Sequence, residues 1–408
     1  MGPVVLGIAL VAGGSFAESP AIVLLGLVLV IVEGVRLVWS RRGLDGIEYR
    51  RHLPRPYGVV GDEIELDVSI WNRKALPLAW LTADDTASSG VVIRERPLIE
   101  SSTGSGSLRN AWTLAPYERV VRHFHIVADR RGSYALGPVR LEVGDLLARS
   151  AAIDVTELVS GWIVRPRTVA VRLADREHRW GGELLARRGL IEDPTRYAGV
   201  RAYQPGDPLR SVHWKATARL ERPVSKRFDP ARQREVVVAL DIQTIGGPAW
   251  LPVYDDDLVE SLCVAAGSLV RRLRDEGTSV GLAAAAYSGA VRPIAYVPPG
   301  ESDGQLGRCL DLLARLSSFP SAPFERLLTS LLRALRPGTS LVVLGARDPD
   351  PYLAALRRVD RSGYPVRHLA FGPRAGELAA RVRGAGIDSR TARLDGPWRT
   401  AGALVIDG

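Results

Sequence analysis

Apolar residues run almost unbroken from Gly2 to Phe16 and again from Ala21 to Val32, separated by a turn-rich joint, Gly13–Pro20, whose single charge is Glu18. A bilayer-spanning helix needs ~20 mostly apolar residues. The second run reaches that length only if Glu33, Arg36 and Trp39 sit at the interface, where long side chains snorkel and aromatic rings anchor. The first is shorter. No basic residue precedes it and no clean small-x-small cleavage pattern follows, so the pair reads as a transmembrane hairpin over residues 1–40 and not as a signal peptide. Arg36, Arg41 and Arg42 flank the second run while the joint has no basic residue, which places the joint outside and the bulk of the chain in the cytoplasm.

From residue 45 to 164 the pattern changes to short alternating runs. Glu63–Ile70 alternates polar and apolar positions after a Gly61-Asp62 turn, and Val91–Ile93, Ser107–Leu114, Val120–Val127 and Val139–Val143 continue at regular spacing. Several such strands with turn residues between them predict an all-β sandwich. His123 and His125 fall two apart on one strand and so share a side. No third ligand stands at a suitable spacing, and they read as surface or sandwich histidines more readily than as a metal pair.

Residues 165–234 read as a connection. It is rich in Pro and Arg as far as Arg196, and then carries the run YAGVRAYQPGDPLRSVHWKATARLERPVSKRFDPARQREVVVALD from Tyr197 to Asp241. Gln204-Pro205-Gly206-Asp207 suits a tight turn, with proline presetting the first dihedral and glycine accepting the next. Asp207 then suits an N-cap with Pro208 at the first helical position. On the helix this predicts, Arg210, Trp214 and Ala218 share one face, and Ser211, Lys215 and Arg219 another. Glu235–Asp241 is apolar, β-branched and ends in an acid, the mark of a central parallel strand with its carboxylate at the edge where α/β sites form. Beyond it, strands at Ser279–Ala286, Val291–Val297, Ser340–Leu344, Val366–Phe371 and Ala403–Ile406 alternate with helices. These start with one opened by Asp255–Asp257 and closed by Gly277, and continue at Gln305–Leu316, Phe324–Leu335, Tyr352–Ser362 and Arg374–Gly384. That alternation predicts a doubly wound α/β domain over 235–408.

The net charge of +9 invites a nucleic-acid partner. The cations are nearly all arginine, with lysine only at Lys74, Lys215 and Lys226, and they are spread along the chain without a zinc-finger or RNP-type motif. Nucleic acid is therefore not an expected partner. Cys263 and Cys309 sit in apolar helical patterns and read as buried free thiols.

The pattern Arg201-x-Tyr203-x-Pro205-Gly206-Asp207-x-x-Arg210-x-x-His213-Trp214-Lys215-x-x-Ala218-Arg219, followed by a strand ending in Asp241, closely resembles the domain-of-unknown-function 58 family. The resemblance implies a membrane hairpin, a β-sandwich, this signature and a C-terminal von Willebrand factor A-like domain. It also implies association with a MoxR-type AAA+ ATPase, and it implies no known reaction. The chain departs from the family at Arg196, where an acid is usual, and at Gly144-Asp145-Leu146-Leu147, where Asp-Pro-Phe-Gly is usual.

Von Willebrand A-like domains often hold a divalent cation through Asp-x-Ser-x-Ser, and hard oxygen ligands suit magnesium. Here that stretch reads Asp241-Ile242-Gln243-Thr244-Ile245, and the end of a later strand reads Gly345-Ala346-Arg347-Asp348. Asp241 and Gln243 remain as candidate metal ligands, Ile245 offers no side-chain ligand, and Arg347 brings opposing charge, so the expectation is no cofactor, with magnesium the alternative. The signature itself has three readings: a structural lock, in which Trp214 is a buried anchor and Arg201, Arg210 and Arg219 bond Asp207, Asp229 or carbonyls; docking of an anion or partner; and catalysis by His213 oriented by Asp207, for which no nucleophile at a defined spacing is seen. A phosphate-binding glycine loop is absent, so the chain is not itself the ATPase. The expectation is a non-enzymatic, membrane-anchored adaptor that presents clients, including other envelope proteins, to that ATPase. A stand-alone metal-dependent binding module and a hydrolase using His213 and Asp207 are the alternatives.

Overall fold

The structure is a computed structural model that describes residues 2–100, 105–144, 150–173, 192–204, 211–230, 235–244, 255–286 and 294–407. The chain divides into two units, Met1–Val164 and Arg165–Gly408.

The first unit opens with two helices, α1 (Gly2–Phe16) and α2 (Pro20–Arg42). Glycines let their backbones approach: a Cβ added to Gly26 would stand 2.7 Å from the Gly7 carbonyl oxygen. At 1.5 Å per residue α2 is about 34 Å long and α1 about 22 Å, so α2 alone matches the ~30 Å hydrocarbon thickness. It is the one described helix long and apolar enough to cross a bilayer. Glu33, buried within it, is held by Arg36 at 2.6 Å. The Lys74 ammonium ties the end of α2 to the strands by donating to the Gly43 and Asp45 carbonyls, both at 2.8 Å.

Eleven strands follow: β1 (Ile47–His52), β2 (Tyr57–Val59), β3 (Glu63–Asn72), β4 (Leu78–Ala87), β5 (Val92–Ile93), β6 (Ile99–Glu100), β7 (Gly106–Leu114), β8 (Arg119–Val127), β9 (Gly132–Gly144), β10 (Ser150–Thr156) and β11 (Ser160–Arg165). They form one sheet in the order β1-β3-β8-β5 and another in the order β2-β11-β9-β4-β7-β6, with β10 against β9. Alternation in β3 is complete: Ile64, Leu66, Val68 and Ile70 turn inward while Glu63 and Glu65 face water. A polar contact crosses between the sheets. Arg51 on β1 and Asp85 on β4 have fully buried side chains 3.1 Å apart, and the Tyr49 hydroxyl donates to Asp85. The two strand histidines do share a side, and each has its own carboxylate: His123 with Asp67 at 2.6 Å, His125 with Glu95. The Glu95 hydrogen bond raises the His125 pKa.

The second unit carries an eight-stranded mixed sheet of β12 (Ala170–Leu173), β15 (Glu235–Leu240), β16 (Ser279–Ala284), β17 (Ala295–Gly300), β18 (Ser340–Gly345), β19 (Val366–Phe371), β20 (Asp388–Leu394) and β21 (Ala403–Asp407). A separate antiparallel pair is made by β13 (Glu192–Ala202) and β14 (Val224–Pro230). The sheet order is β12-β21-β20-β19-β18-β15-β16-β17, parallel through β16-β15-β18-β19-β20, with β17 and β21 antiparallel to their neighbours β16 and β20. Strand β15 is buried on both faces. Val236, Val238 and Leu240 meet Leu262 and Leu269 of the helix Asp256–Asp275, while Val237 and Ala239 belong to the opposite core with Leu327 and Leu331 of the helix Phe324–Ala334. Asp255 caps the first of these helices by accepting the Leu258 N–H at 3.1 Å. Cys263 and Cys309 are buried and form no disulfide.

Two strands of the eight-stranded sheet were not expected from the sequence. Ala170–Leu173, inside the expected connection, is an edge strand parallel to β21, because Val171 and Leu173 find apolar partners in the sheet's core. Asp388–Leu394, given no element in the sequence reading, is β20; its polar composition hides a strand whose only fully buried positions are Ser389 and Ala392. The part of the predicted strand Val291–Val297 before residue 294 lies outside the described residues.

Candidate functional site

The signature forms a small arm of β13, β14 and the helix Trp214–Leu220. Of its residues, Pro205, Gly206, Asp207 and Arg210 lie outside the described residues, as do Pro208 and Leu209. Among the described residues the helix spans Trp214–Leu220, and the stretch just after Asp207, where the sequence places its start, lies outside them. His213 is its N-cap, with Nδ1 accepting the Ala216 N–H at 3.0 Å, which leaves the ring proton to Nε2. Val212, one residue earlier, bridges to Ser225, so Ser211 and Lys215 are not helical neighbours as expected. The His213 N–H donates to the Val224 carbonyl at 2.9 Å, and the Tyr203 N–H to Pro223 at 3.1 Å, which ties both ends of the arm's loop to β14. Arg201 donates to the Ala202 carbonyl at 3.2 Å.

One expectation is corrected here. Trp214 is not a buried anchor: 67% of it is exposed, and the buried residues under the helix are Val212, Val224 and Ser225. Arg219 is exposed too. Of the pair in the catalytic reading, Asp207 lies outside the described residues, and His213 uses Nδ1 for the helix cap.

Asp241 stands just past the end of β15. The chain leaves β15 to β16 on one side and returns through β18 on the other, so Asp241 and the turn after Gly345 face each other at the topological switch point, where open α/β sheets bind ligands. The Asp241 carboxylate is buried and both its oxygens are engaged. Oδ2 accepts from Arg347 Nε at 2.7 Å and Oδ1 from the Gln243 N–H at 3.1 Å. Arg347 is itself buried and lies 5.1 Å from the centre of the Tyr352 ring. The chain of contacts continues inward. The Tyr352 hydroxyl is 3.2 Å from His368 Nε2, and His368 Nδ1 is 2.9 Å from the Ser389 hydroxyl. Gly345 leaves room for it, since a Cβ there would come within 3.2 Å of the Tyr352 hydroxyl oxygen. Burial pushes the Asp241 carboxyl and the Tyr352 hydroxyl up, with Arg347 opposing both shifts.

A magnesium ion does not fit these residues. The Arg347 guanidinium holds the Asp241 oxygen that a cation would need, and the Thr244 hydroxyl oxygen accepts the Asp255 N–H at 2.9 Å. No cluster of three or more metal-binding side chains stands among the described residues. Tyr352, His368 and Ser389 escape a reading of the sequence because they come from three separate elements. A histidine inside the wholly buried strand Val366–Phe371 was the available signal.

Burial lowers the His368 pKa to about 4. An unfolded histidine titrates near ~6.5. Between these values the unfolded chain binds more protons than the folded one, so stability rises with pH through the window and is lost as pH falls through it. The expected loss by pH 4 is about 3 kcal/mol. Urea midpoints measured from pH 7 down to pH 4 check this: the fall should shrink in His368→Gln, and an equal fall in both proteins would refute it.

Comparison with known proteins covers part of the chain. Residues 199–339 match the family model described as "Protein of unknown function DUF58", a stretch that runs from within β13 to just before β18 and includes Asp241 but not Arg347. The Uncharacterized protein YeaD of Bacillus subtilis (strain 168) is a distant homologue, 22% identical over 237 residues, which are 57% of this chain and 54% of that protein. The chain thus spans about half the length of this curated relative. Solved structures give only slight likenesses. The CARDB domain of a Pyrococcus furiosus protein is 16% identical with a TM-score of 0.18, covering 29% of this chain and 89% of that one. A non-cellulosomal cohesin from Archaeoglobus fulgidus is 10% identical with a TM-score of 0.21, covering 29% and 90%.

Proposed function

We propose that this chain is a non-enzymatic, membrane-anchored adaptor. Its two N-terminal helices form a membrane hairpin that leaves the bulk of the chain in the cytoplasm, and its C-terminal domain is a von Willebrand factor A-like module working with a MoxR-type AAA+ ATPase on client proteins. The observation that carries the reading is the filled switch point: where a doubly wound domain would hold a small ligand, the protein's own Arg347 meets Asp241. A domain so arranged offers surface to partners. Strand order adds support, since β17-β16-β15-β18-β19-β20 follows the pattern 3-2-1-4-5-6 with the third strand antiparallel. The apolar α2, with Arg41 and Arg42 in its last turn, supports the anchor and its orientation. The ATPase is named by the family resemblance of the signature.

A crosslinked pull-down of the tagged full chain from membranes, with and without ATP, tests the proposal. Nucleotide-dependent enrichment of an AAA+ ATPase is the expected result. Recovery of other membrane proteins without any ATPase would remove the adaptor reading.

A further inference from the structure

The arm carries a helix face that the described residues leave exposed. On Trp214–Leu220 the half-buried Ala216 and Thr217 turn toward β14, and the Thr217 hydroxyl oxygen accepts the Val224 N–H at 3.1 Å. Trp214, Lys215, Ala218 and Arg219 share the opposite face, at i, i+1, i+4 and i+5, and all four are exposed. Trp214 is the one exposed tryptophan among the described residues. Lys215, Arg219 and the neighbouring Arg222 make no ion pair among the described residues. Within the described part of 199–226 the only carboxylate is Glu221, against the cations of Arg201, Lys215, Arg219, Arg222 and Lys226.

We propose that this face docks an acidic segment of a partner protein, an apolar side chain of which covers the Trp214 ring while its carboxylates meet Lys215 and Arg219. Unpaired cations around the ring set the sign of the partner's charge and steer its approach. The ring argues for a protein segment over a bilayer. A helix lying in a membrane interface presents a continuous apolar face, whereas here one indole stands beside two cations on a helix of two turns, the make-up of a protein hot spot. The inference rests on the adaptor reading, to which it adds a surface and a partner chemistry.

The test uses the full chain in phosphatidylcholine nanodiscs and, as probe, a fluorescent peptide of alternating glutamate and leucine, with a lysine–leucine peptide for comparison. The glutamate peptide should bind, more weakly as salt rises, and the lysine peptide should not. Trp214→Ala and the double variant Lys215→Glu/Arg219→Glu should each weaken binding roughly tenfold or more. All these side chains are exposed, so the variants keep the wild-type melting temperature. The control Arg326→Glu/Arg333→Glu makes the same change of net charge on exposed positions of the helix Phe324–Ala334 and should bind as wild type does. Equal weakening in the control, or undiminished binding by Trp214→Ala, would overturn the proposal. So would absence of peptide binding together with hydrogen-exchange protection of 211–226 when phosphatidylglycerol is added to the discs, which would make lipid the occupant. The two readings fail separately. An ATPase recovered from membranes by a chain that does not bind the peptide leaves the adaptor standing without this surface. Peptide binding as expected, with no ATPase recovered, leaves the surface without that adaptor role.

Discussion

Arg347→Met is expected to lower the unfolding temperature of the C-terminal unit by roughly 10 °C, from a loss of about 3–5 kcal/mol. Asp241 is 2% exposed, and its carboxylate faces a guanidinium at 2.7 Å. Removing the cation leaves a buried charge whose one remaining hydrogen bond is the Gln243 N–H. The loss is the desolvation of an uncompensated ion, and it exceeds what the pair contributes over an apolar substitute. The double variant Asp241→Asn/Arg347→Met should therefore recover part of the loss, since neither buried charge remains. Calorimetry of the detergent-solubilised chain reads both results. A double variant less stable than the sum of the singles would show that the pair is not the source of the effect. Millimolar magnesium should not shift the wild-type transition, and a rise that disappears in Asp241→Ala would reinstate a metal site.

Asp85→Ala should have a comparable effect, again about 3–5 kcal/mol, but on the N-terminal unit. Arg51 and Asp85 have fully buried side chains on facing sheets, and the Arg51 guanidinium also donates to the Leu158 carbonyl while Tyr49 donates to Asp85. Without Asp85 the guanidinium keeps one carbonyl partner and stays buried; Arg51 Nε already has no hydrogen-bond partner. Asp85→Asn should cost less than Asp85→Ala, because an amide oxygen still faces the tyrosine hydroxyl. Calorimetry checks this as well: the lower-melting transition must belong to the N-terminal unit in Asp85→Ala and to the C-terminal unit in Arg347→Met. Movement of both transitions in either variant would refute the assignment.

Much of the C-terminal sheet was legible from the chain because buried parallel strands are continuous apolar runs. Val366–Phe371 is found with the expected bounds, and Ser340–Gly345 and Gln305–Arg315 each lie within one residue of them. Asp255 as a helix cap was also readable, since an acid before an apolar helical period has one common use. β12 and β20 were not legible, because each is short or polar and takes its strand form from the neighbour it pairs with. The shared helical face of Arg210, Trp214 and Ala218 was misread for a related reason. Local spacing suggests one continuous helix, but Val212 pairs with Ser225 and His213 caps a separate helix, Trp214–Leu220, by accepting the Ala216 N–H.

By itself, then, the order of residues determined the long apolar helix α2, the switch from period-2 to helix-bearing patterns near residue 165, and the acid at the end of β15. Each follows from periodicity and local backbone preference, which act over a few residues. Tertiary structure alone decided what faces that acid and what faces solvent. Arg347 lies 106 positions from Asp241 along the chain, and no local rule distinguishes it from the many other arginines. Trp214 sits in a motif that reads as an anchor, yet the arm is too small to enclose it, and Val212, Val224 and Ser225 take the interior instead. Burial is a property of the packed whole.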